Sequence, residues 1–352
     1  MFLFGGLRKE FYEKNGRISM KLSVVIVARN EEKNIARCIE SVLKHTAVVG
    51  PVEVLLADSA STDRTVEIAS IYPINIISLK PEWPLSPLAG RFSGVNNVSG
   101  EYVLIIDGDM ELLGGWVEEA ISFMRINQKA AAVVGRHYDI YYLENGSLSE
   151  PCVSRSSAGK NSIRKEPYIF ASSIFRRDYL QEVGNFHPFL RAEEEAEISC
   201  RLIQKGYDLY FLPYDSIRHY TIPRRSFQET IRRSRRNLWS GMGDMLSWCL
   251  RRGYYKILWQ RFKVFFSFIF LMLSAICGLT LFVFFGNLGG LIVMFLPGWF
   301  WLLMVVKKRS FVDGSLSFIN FAVISWSLFL SLFRRVPPID TYPRDVISVK
   351  KM

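Results

Sequence analysis

Residues 264–285, VFFSFIFLMLSAICGLTLFVFF, run for 22 positions without a charged side chain. A helix needs about 20 such residues to cross the hydrocarbon core of a bilayer. Helices buried in soluble proteins seldom run this long without a charge, so a membrane anchor is expected. A second apolar run, 288–306, follows after only Gly286 and Asn287, which makes the two a tight hairpin, and Lys307-Lys308-Arg309 comes next. A third and shorter run, 316–333, ends at Arg334-Arg335. None of the three contains Asp, Glu, Lys or Arg. A transporter or flippase would be expected to have more crossings, with charges inside them.

Charge divides the chain at the same place. The 352 residues carry a net +11. Residues 1–217 hold 24 Lys and Arg against 28 Asp and Glu, whereas residues 218–263 hold 12 against 2. The basic excess therefore adjoins the apolar runs, and no nucleic-acid module is visible, so nucleic acid is excluded as a partner. Phe227, Ile231, Leu238, Met242, Leu246 and Cys249 fall near one helical face, while Arg232, Arg233, Arg235 and Arg236 occupy much of the rest. With Trp239 and Trp248, this segment reads as an interfacial amphipathic helix on anionic lipid, where an acceptor phosphate would also meet the arginines. The positive-inside rule puts 218–263 and the Lys307 cluster on the cytoplasmic face. A third full crossing would then export Arg334-Arg335 and Lys350-Lys351, so two and three crossings both stay open. Five widely spaced cysteines favour neither a disulfide framework nor a cysteine zinc site.

The expected layout is an N-terminal extension (1–19), a catalytic domain (20–222), a basic juxtamembrane segment (223–263), a transmembrane region (264–333) and a basic tail (334–352). From 22 to about 212, strands and helices alternate, the pattern of an α/β domain with a mostly parallel sheet. Residues 22–27 are an apolar, β-branched run suited to a buried parallel strand, and a second strand is expected at 52–57, stopping at Asp58. Asn30 is expected to cap a helix with Glu31 and Glu32 in its first turn. Further strands are expected at 74–78, 102–106 and 208–212, and a helix at 88–98. Three strands end in Ala28-Arg29-Asn30, Asp58 and Asp107-Gly108-Asp109. Ligands of open α/β sheets bind beyond such carboxyl ends.

Asp107 and Asp109 are two residues apart, so in extended chain both carboxylates point to one side. Two hard oxygen donors there suit Mg2+ or Mn2+ shared with substrate phosphates. A second acidic group, Glu193-Glu194-Glu195-Ala196-Glu197, opens a helix. A carboxylate crowded by others has a raised pKa, as a general base requires. His137, Tyr138, Tyr141 and Tyr142 suit either an acceptor site or a sheet face, and the polar stretch 154–165 reads as a loop over the cleft.

Residues 23–32 (SVVIVARNEE), 54–65 (VLLADSASTDRT), Ala89-Gly90-Arg91 with Ser99-Gly100-Glu101-Tyr102, Asp107-Gly108-Asp109, and Glu182-Val183-Gly184-Asn185-Phe186 before the acidic group occur in the order of one known family. Over roughly 22–220 the chain resembles a family-2 glycosyltransferase. The resemblance implies a GT-A nucleotide-sugar-binding domain followed by the interfacial helix and the transmembrane helices. It implies that Ala28, Arg29, Asn30, Glu31, Asp58, Asp63, Arg91 and Asp107 bind the donor, and that Asp109, with Asp107 and His219, holds Mg2+ or Mn2+. Glu195 is then the base, with Glu194 as the alternative. The implied activity is inverting, metal-dependent transfer of one sugar from a nucleotide-diphosphate-sugar to a lipid-linked or other glycan acceptor at the cytoplasmic face, in polysaccharide biosynthesis. Two alternatives stay open: a polyprenyl-phosphate sugar synthase, and a non-catalytic membrane scaffold on the same fold. The chain departs from the family where Glu replaces Asp in the acidic motif and where Phe92 follows Arg91. The Gln-x-x-Arg-Trp of processive synthases is also absent, since Gln228 is followed by Ile231 at the Arg position.

Overall fold

The computed structural model describes residues 22–143, 145–170, 172–191, 194–222, 238–331 and 333–352. Arg232, Arg233, Arg235 and Arg236 lie outside the described residues. Two compact units emerge: residues up to 186, 201–222 and 343–352 form the first, and residues 187–200 and 223–342 the second.

The first unit is built on a mixed sheet. Its central strand β1 (Leu22–Ala28) is buried along all seven residues. That full burial is why the run is continuously apolar rather than alternating. After β1 come α1 (Ile35–Thr46), β2 (Val52–Asp58), α2 (Thr65–Ala69), β3 (Asn75–Ser78), α3 (Pro87–Asn96), β4 (Tyr102–Asp107) and β5 (Met110–Leu112). Next are α4 (Trp116–Ile126), β6 (Ala130–Tyr141), β7 (Cys152–Val153), β8 (Arg164–Lys165), β9 (Ser173–Arg176) and α5 (Arg177–Glu182). The acidic helix α6 (Glu194–Gln204) then leads into β10 (Asp208–Thr221). The strand order is β11-β3-β2-β1-β4-β9-β6-β10-β5, where β11 is a C-terminal strand, Ile347–Lys350. β3, β2, β1 and β4 are parallel, as are β6 and β10. β9 joins these two blocks by antiparallel pairing with β4 and β6.

Alternate residues of β1 serve two faces. Val24 and Ile26 pack with Ile35, Ile39 and Val42 of α1 in the main core. Val25 and Val27 face α3 at the positions of Gly94 and Gly90, where an added Cβ would stand 2.2 and 2.7 Å from their methyl groups. Glycine there lets α3 lie directly on the strand. Each buried aliphatic side chain contributes about 1.5–3 kcal/mol, so this seam is a main source of the unit's stability. Ser86 starts α3 by accepting the Ala89 N–H at 3.0 Å, with Pro87 in the first turn.

Two expectations are corrected here. Asn30 does not cap a helix: it is left-handed (φ 58°), and α1 begins only at Ile35. β10 runs on to Thr221, so His219 lies within a strand rather than after one. The end of the basic tail forms β11, antiparallel to β3 at the sheet edge. Lys350 Nζ fastens it to the Tyr72 carbonyl at 2.6 Å.

The second unit contains α7 (Leu238–Arg252), α8 (Tyr255–Phe285), α9 (Leu288–Met294), α10 (Leu296–Lys308) and α11 (Phe311–Ser331). Among the described residues, two helical stretches, Phe265–Phe285 and Phe311–Ser331, are long and apolar enough to cross a membrane. The second arm of the expected hairpin is broken into α9 and α10, bent by 41°. Most of the third apolar run lies in the 21-residue helix α11. Phe268 of α8 packs edge-on to Phe321 of α11 at 5.1 Å, and Arg251 at the end of α7 donates to the Arg334 carbonyl at 3.2 Å.

Candidate active site

The loops after β1 and β2 interlock at the carboxyl edge of the sheet. Left-handed Asn30 donates its N–H to Ser61 Oγ at 2.9 Å, and its Oδ1 accepts the Thr62 N–H at 2.8 Å. Asn tolerates this conformation, and the two hydrogen bonds lock it there. The Glu31 N–H reaches Thr65 Oγ1 at 2.8 Å, and the Glu32 N–H reaches Asp63 Oδ2 at 3.1 Å. A slight burial penalty on Asp63 is outweighed by the Thr65 hydroxyl and backbone donors, which hold its carboxyl below the usual range. Asp58 is 1% exposed and accepts from Ser78 Oγ at 2.7 Å and from the Ser61 N–H. Asp58 and Asp63 therefore brace the walls of this edge. Arg29 is exposed beside them.

The Asp107-Gly108-Asp109 turn lies against the first loop. The Gly108 N–H bonds the Val27 carbonyl at 2.8 Å, and a Cβ on Gly108 would sit 2.9 Å from that of Ala28 and 3.3 Å from Glu31 Cγ. Glycine permits that approach and brings Glu31 up to both aspartates. Burial, followed by the charges of Asp109, Asp107 and Asp63, raises the Glu31 carboxyl to about 7, against the pull of its bond with Asn34.

The two aspartates have different partners. Arg91, 3% exposed, places Nη2 at 3.0 and 3.2 Å from the two oxygens of Asp107. Asp109 Oδ2 lies 3.3 Å from His219 Nε2, while its Oδ1 is buried and accepts no hydrogen bond among the described residues. On its other side, His219 Nδ1 is 3.1 Å from Asp139 Oδ1. Burial alone would lower the imidazole, but the bonds to Asp109 and Asp139 outweigh it and lift the ring to about 10.

Among the described residues, no three His, Cys, Asp or Glu side chains stand close enough to hold a metal ion by themselves. The donor set nonetheless fits a divalent cation completed by substrate. Asp109 Oδ1 is a buried acceptor without a donor, beside an imidazole, and hard cations such as Mg2+ keep several positions for phosphate oxygens and water.

Sequence reading missed Asp139, which lies 80 residues from His219 and meets it only through the register of β6 with β10. It also assigned Arg91 to the donor without seeing its pairing with Asp107. His137, Tyr138 and Tyr141 do lie on a sheet strand, β6, and Tyr142 Oη bonds Asn34 Oδ1 at 2.6 Å. The 154–165 stretch is tied to β6, with Ser157 Oγ accepting the His137 N–H at 2.9 Å. Glu194 and Glu195 begin α6 and belong with the second unit, where Glu197 is fully buried.

The family model described as "Glycosyl transferase family 2" matches residues 23–184. Those residues belong to glycosyl transferase family 2. All of the β1, β2 and β4 loop groups above lie inside this family 2 domain, while His219 and the acidic helix follow it. The chain is similar to glycosyltransferase AglE of Haloferax volcanii, 29% identical over 66% of this chain and 75% of that protein. It is also similar to the dolichyl N-acetyl-α-D-glucosaminyl phosphate 3-β-D-2,3-diacetamido-2,3-dideoxy-β-D-glucuronosyltransferase of Methanococcus voltae, 23% identical over 75% and 84%. A third relative, the O-antigen chain rhamnosyltransferase WbaN of Salmonella anatum, is 28% identical over 51% and 60%.

Proposed function

We propose that this family 2 enzyme is a membrane-bound inverting glycosyltransferase that moves one sugar from a nucleotide-diphosphate-sugar to a lipid-linked hydroxyl acceptor. The observation that carries this reading is the buried, donor-less Asp109 Oδ1 beside His219, at the sheet edge where Asp107, Glu31 and the interlocked loops also converge. Asp109 and His219 would hold Mg2+ or Mn2+, which when bound neutralises charge gathering on the diphosphate leaving group. Arg91 fixes Asp107 so that its carboxylate keeps one orientation toward the donor. The loop around Ala28–Asn30 and Asp58–Asp63 would receive the nucleoside.

Glu195 would take the acceptor hydroxyl's proton as that oxygen attacks the anomeric carbon from the face opposite the diphosphate. The name of the Methanococcus voltae relative, which contains a dolichyl sugar phosphate, supports a lipid-linked acceptor. Glu195→Gln is expected to slow transfer by about 10²- to 10⁴-fold, the range for losing a general base. Near-wild-type transfer by Glu195→Gln alongside loss in Asp109→Ala would contradict the hydroxyl acceptor and point to a lipid phosphate acceptor, which needs little base catalysis.

The strand pairing of β11 with β3 supports a specific membrane arrangement. The chain leaves the sheet after Thr221 and rejoins it at Ile347, so the stretch between crosses a bilayer an even number of times. This return supports two crossings, by Phe265–Phe285 and Phe311–Ser331. The basic segment, Arg334-Arg335 and the tail then share the catalytic domain's face, which the positive-inside rule makes cytoplasmic. A cysteine placed at the exposed Lys351 is expected to react with a membrane-impermeant maleimide from the same face as the exposed native Cys152. Reaction from the opposite face would refute the arrangement.

A further inference from the structure

β10 runs between β6 and β5, and its residue His219 is held from both sides. Across the parallel seam it pairs in register with Asp139 of β6, and across the antiparallel seam with Met110, next to Asp109. The neighbours of His219 along the strand, Arg218 and Tyr220, point to the other face and are taken up by Glu111, at 3.3 and 2.7 Å. His219 therefore faces two carboxylates, one at each ring nitrogen: Asp139 Oδ1 at 3.1 Å from Nδ1 and Asp109 Oδ2 at 3.3 Å from Nε2. The side chains of all three are less than a third exposed.

The two carboxylates are not equivalent. Asp109 stands in the turn between β4 and β5 that faces Glu31, and its second oxygen is buried without a donor among the described residues. Asp139 stands in mid-strand, held by the β6–β10 ladder, with its carbonyl also accepting from Cys152 Sγ at 3.4 Å. We propose that Asp139 is a positioning residue, which accepts the Nδ1–H of His219 and so fixes the ring with Nε2 turned toward Asp109, where a divalent cation would displace the Nε2 proton and take that nitrogen as a ligand. The proposal rests on the reading of Asp109 and His219 as metal donors. An imidazole turns about a broad, roughly two-fold torsion, and an acceptor at one nitrogen selects both the tautomer and the ring orientation of the other. Carboxylates that hold a metal-binding imidazole in this way typically contribute about 10- to 100-fold to metal affinity.

The test is Mn2+ binding by the purified full chain, read from the loss of the free-ion paramagnetic resonance signal during titration with Mn2+ alone. Asp139→Ala is expected to weaken binding by about 10- to 100-fold, with Asp139→Glu restoring part of the loss. Asp139→Asn provides an isosteric second variant should the alanine protein fold poorly. In the His219→Ala background, Asp139→Ala is expected to add no further loss, because it acts only through the ring. Wild-type Mn2+ affinity in both Asp139→Ala and Asp139→Asn, or a loss that adds in full to that of His219→Ala, overturns the proposal and leaves the metal reading standing. Unchanged affinity in both Asp109→Ala and His219→Ala overturns the metal reading itself, and the proposal with it.

Discussion

Asp109→Ala is expected to reduce sugar transfer by about 10³-fold or more, the scale of losing a preorganised charge that stabilises the transition state. The same change is expected to cost about 1 kcal/mol or somewhat more of folding stability, because it removes an unsatisfied buried oxygen but also takes from His219 one of its two carboxylate partners. The physical reason lies in the carboxylate's surroundings. Its Oδ1 is buried with no donor, so the folded protein gains nothing from that atom and bears the cost of desolvating it. Removing the side chain also frees His219, but that ring keeps Asp139 at 3.1 Å. A residue whose loss costs far more activity than stability is one kept for its ligand. Asp109→Asn separates charge from shape and is expected to lose nearly as much transfer, because an amide is a poor substitute for a hard anionic donor. Steady-state transfer and thermal unfolding of the same preparations measure both quantities.

Arg91→Ala is expected to show the opposite signature, with large losses of both stability and transfer. Arg91 is 3% exposed on α3, at the helix face that Gly90 and Gly94 bring onto β1, and it bonds both oxygens of Asp107. Truncation leaves the Asp107 carboxylate beside a cavity without its counter-charge, and breaking a buried ion pair in this manner costs about 3 kcal/mol or more. For a domain of this size that corresponds to a drop of about 10 °C in the unfolding temperature. Transfer falls as well, because Asp107 loses the partner that orients it. Arg91→Lys is expected to recover only part of either, since an ammonium is a point charge and does not reproduce the planar guanidinium fork. Thermal unfolding followed by circular dichroism, read beside transfer by the surviving folded fraction, separates the two losses.

The central strands were legible because full burial leaves a plain trace. β1, β2 and β4 lie inside the sheet, so each is a mainly apolar run, interrupted only at Ser23 and Glu53, that leads to a polar group. The donor-side residues follow from those ends. What escaped was set by distant partners. Asn30 looks like a helix cap, yet Ser61 and Thr62 of the next loop capture it as a turn instead. β10 contains Pro213 and several polar residues, and only its pairing with β6 and β5 carries it on to Thr221. The four residues of β11 have no strong local signal, and the exposed edge of β3 gives them their conformation. Asp139 was invisible for the same reason, since one shift of register between β6 and β10 would part it from His219. The Glu-for-Asp replacements in the acidic helix were legible as a departure from the family pattern, and Glu195 remains the proposed base on that pattern.

The most direct test is transfer by membranes carrying the full-length protein, incubated with Mn2+ or Mg2+ and a panel of radiolabelled nucleotide-sugars, followed by counting of the extracted lipid fraction. The expected result is label from one donor in the lipid fraction, abolished by a chelator and absent from matched Asp109→Ala membranes. Equal label with wild-type and Asp109→Ala protein, or none from any donor in the panel, would contradict a metal-dependent glycosyltransferase with a lipid-linked acceptor.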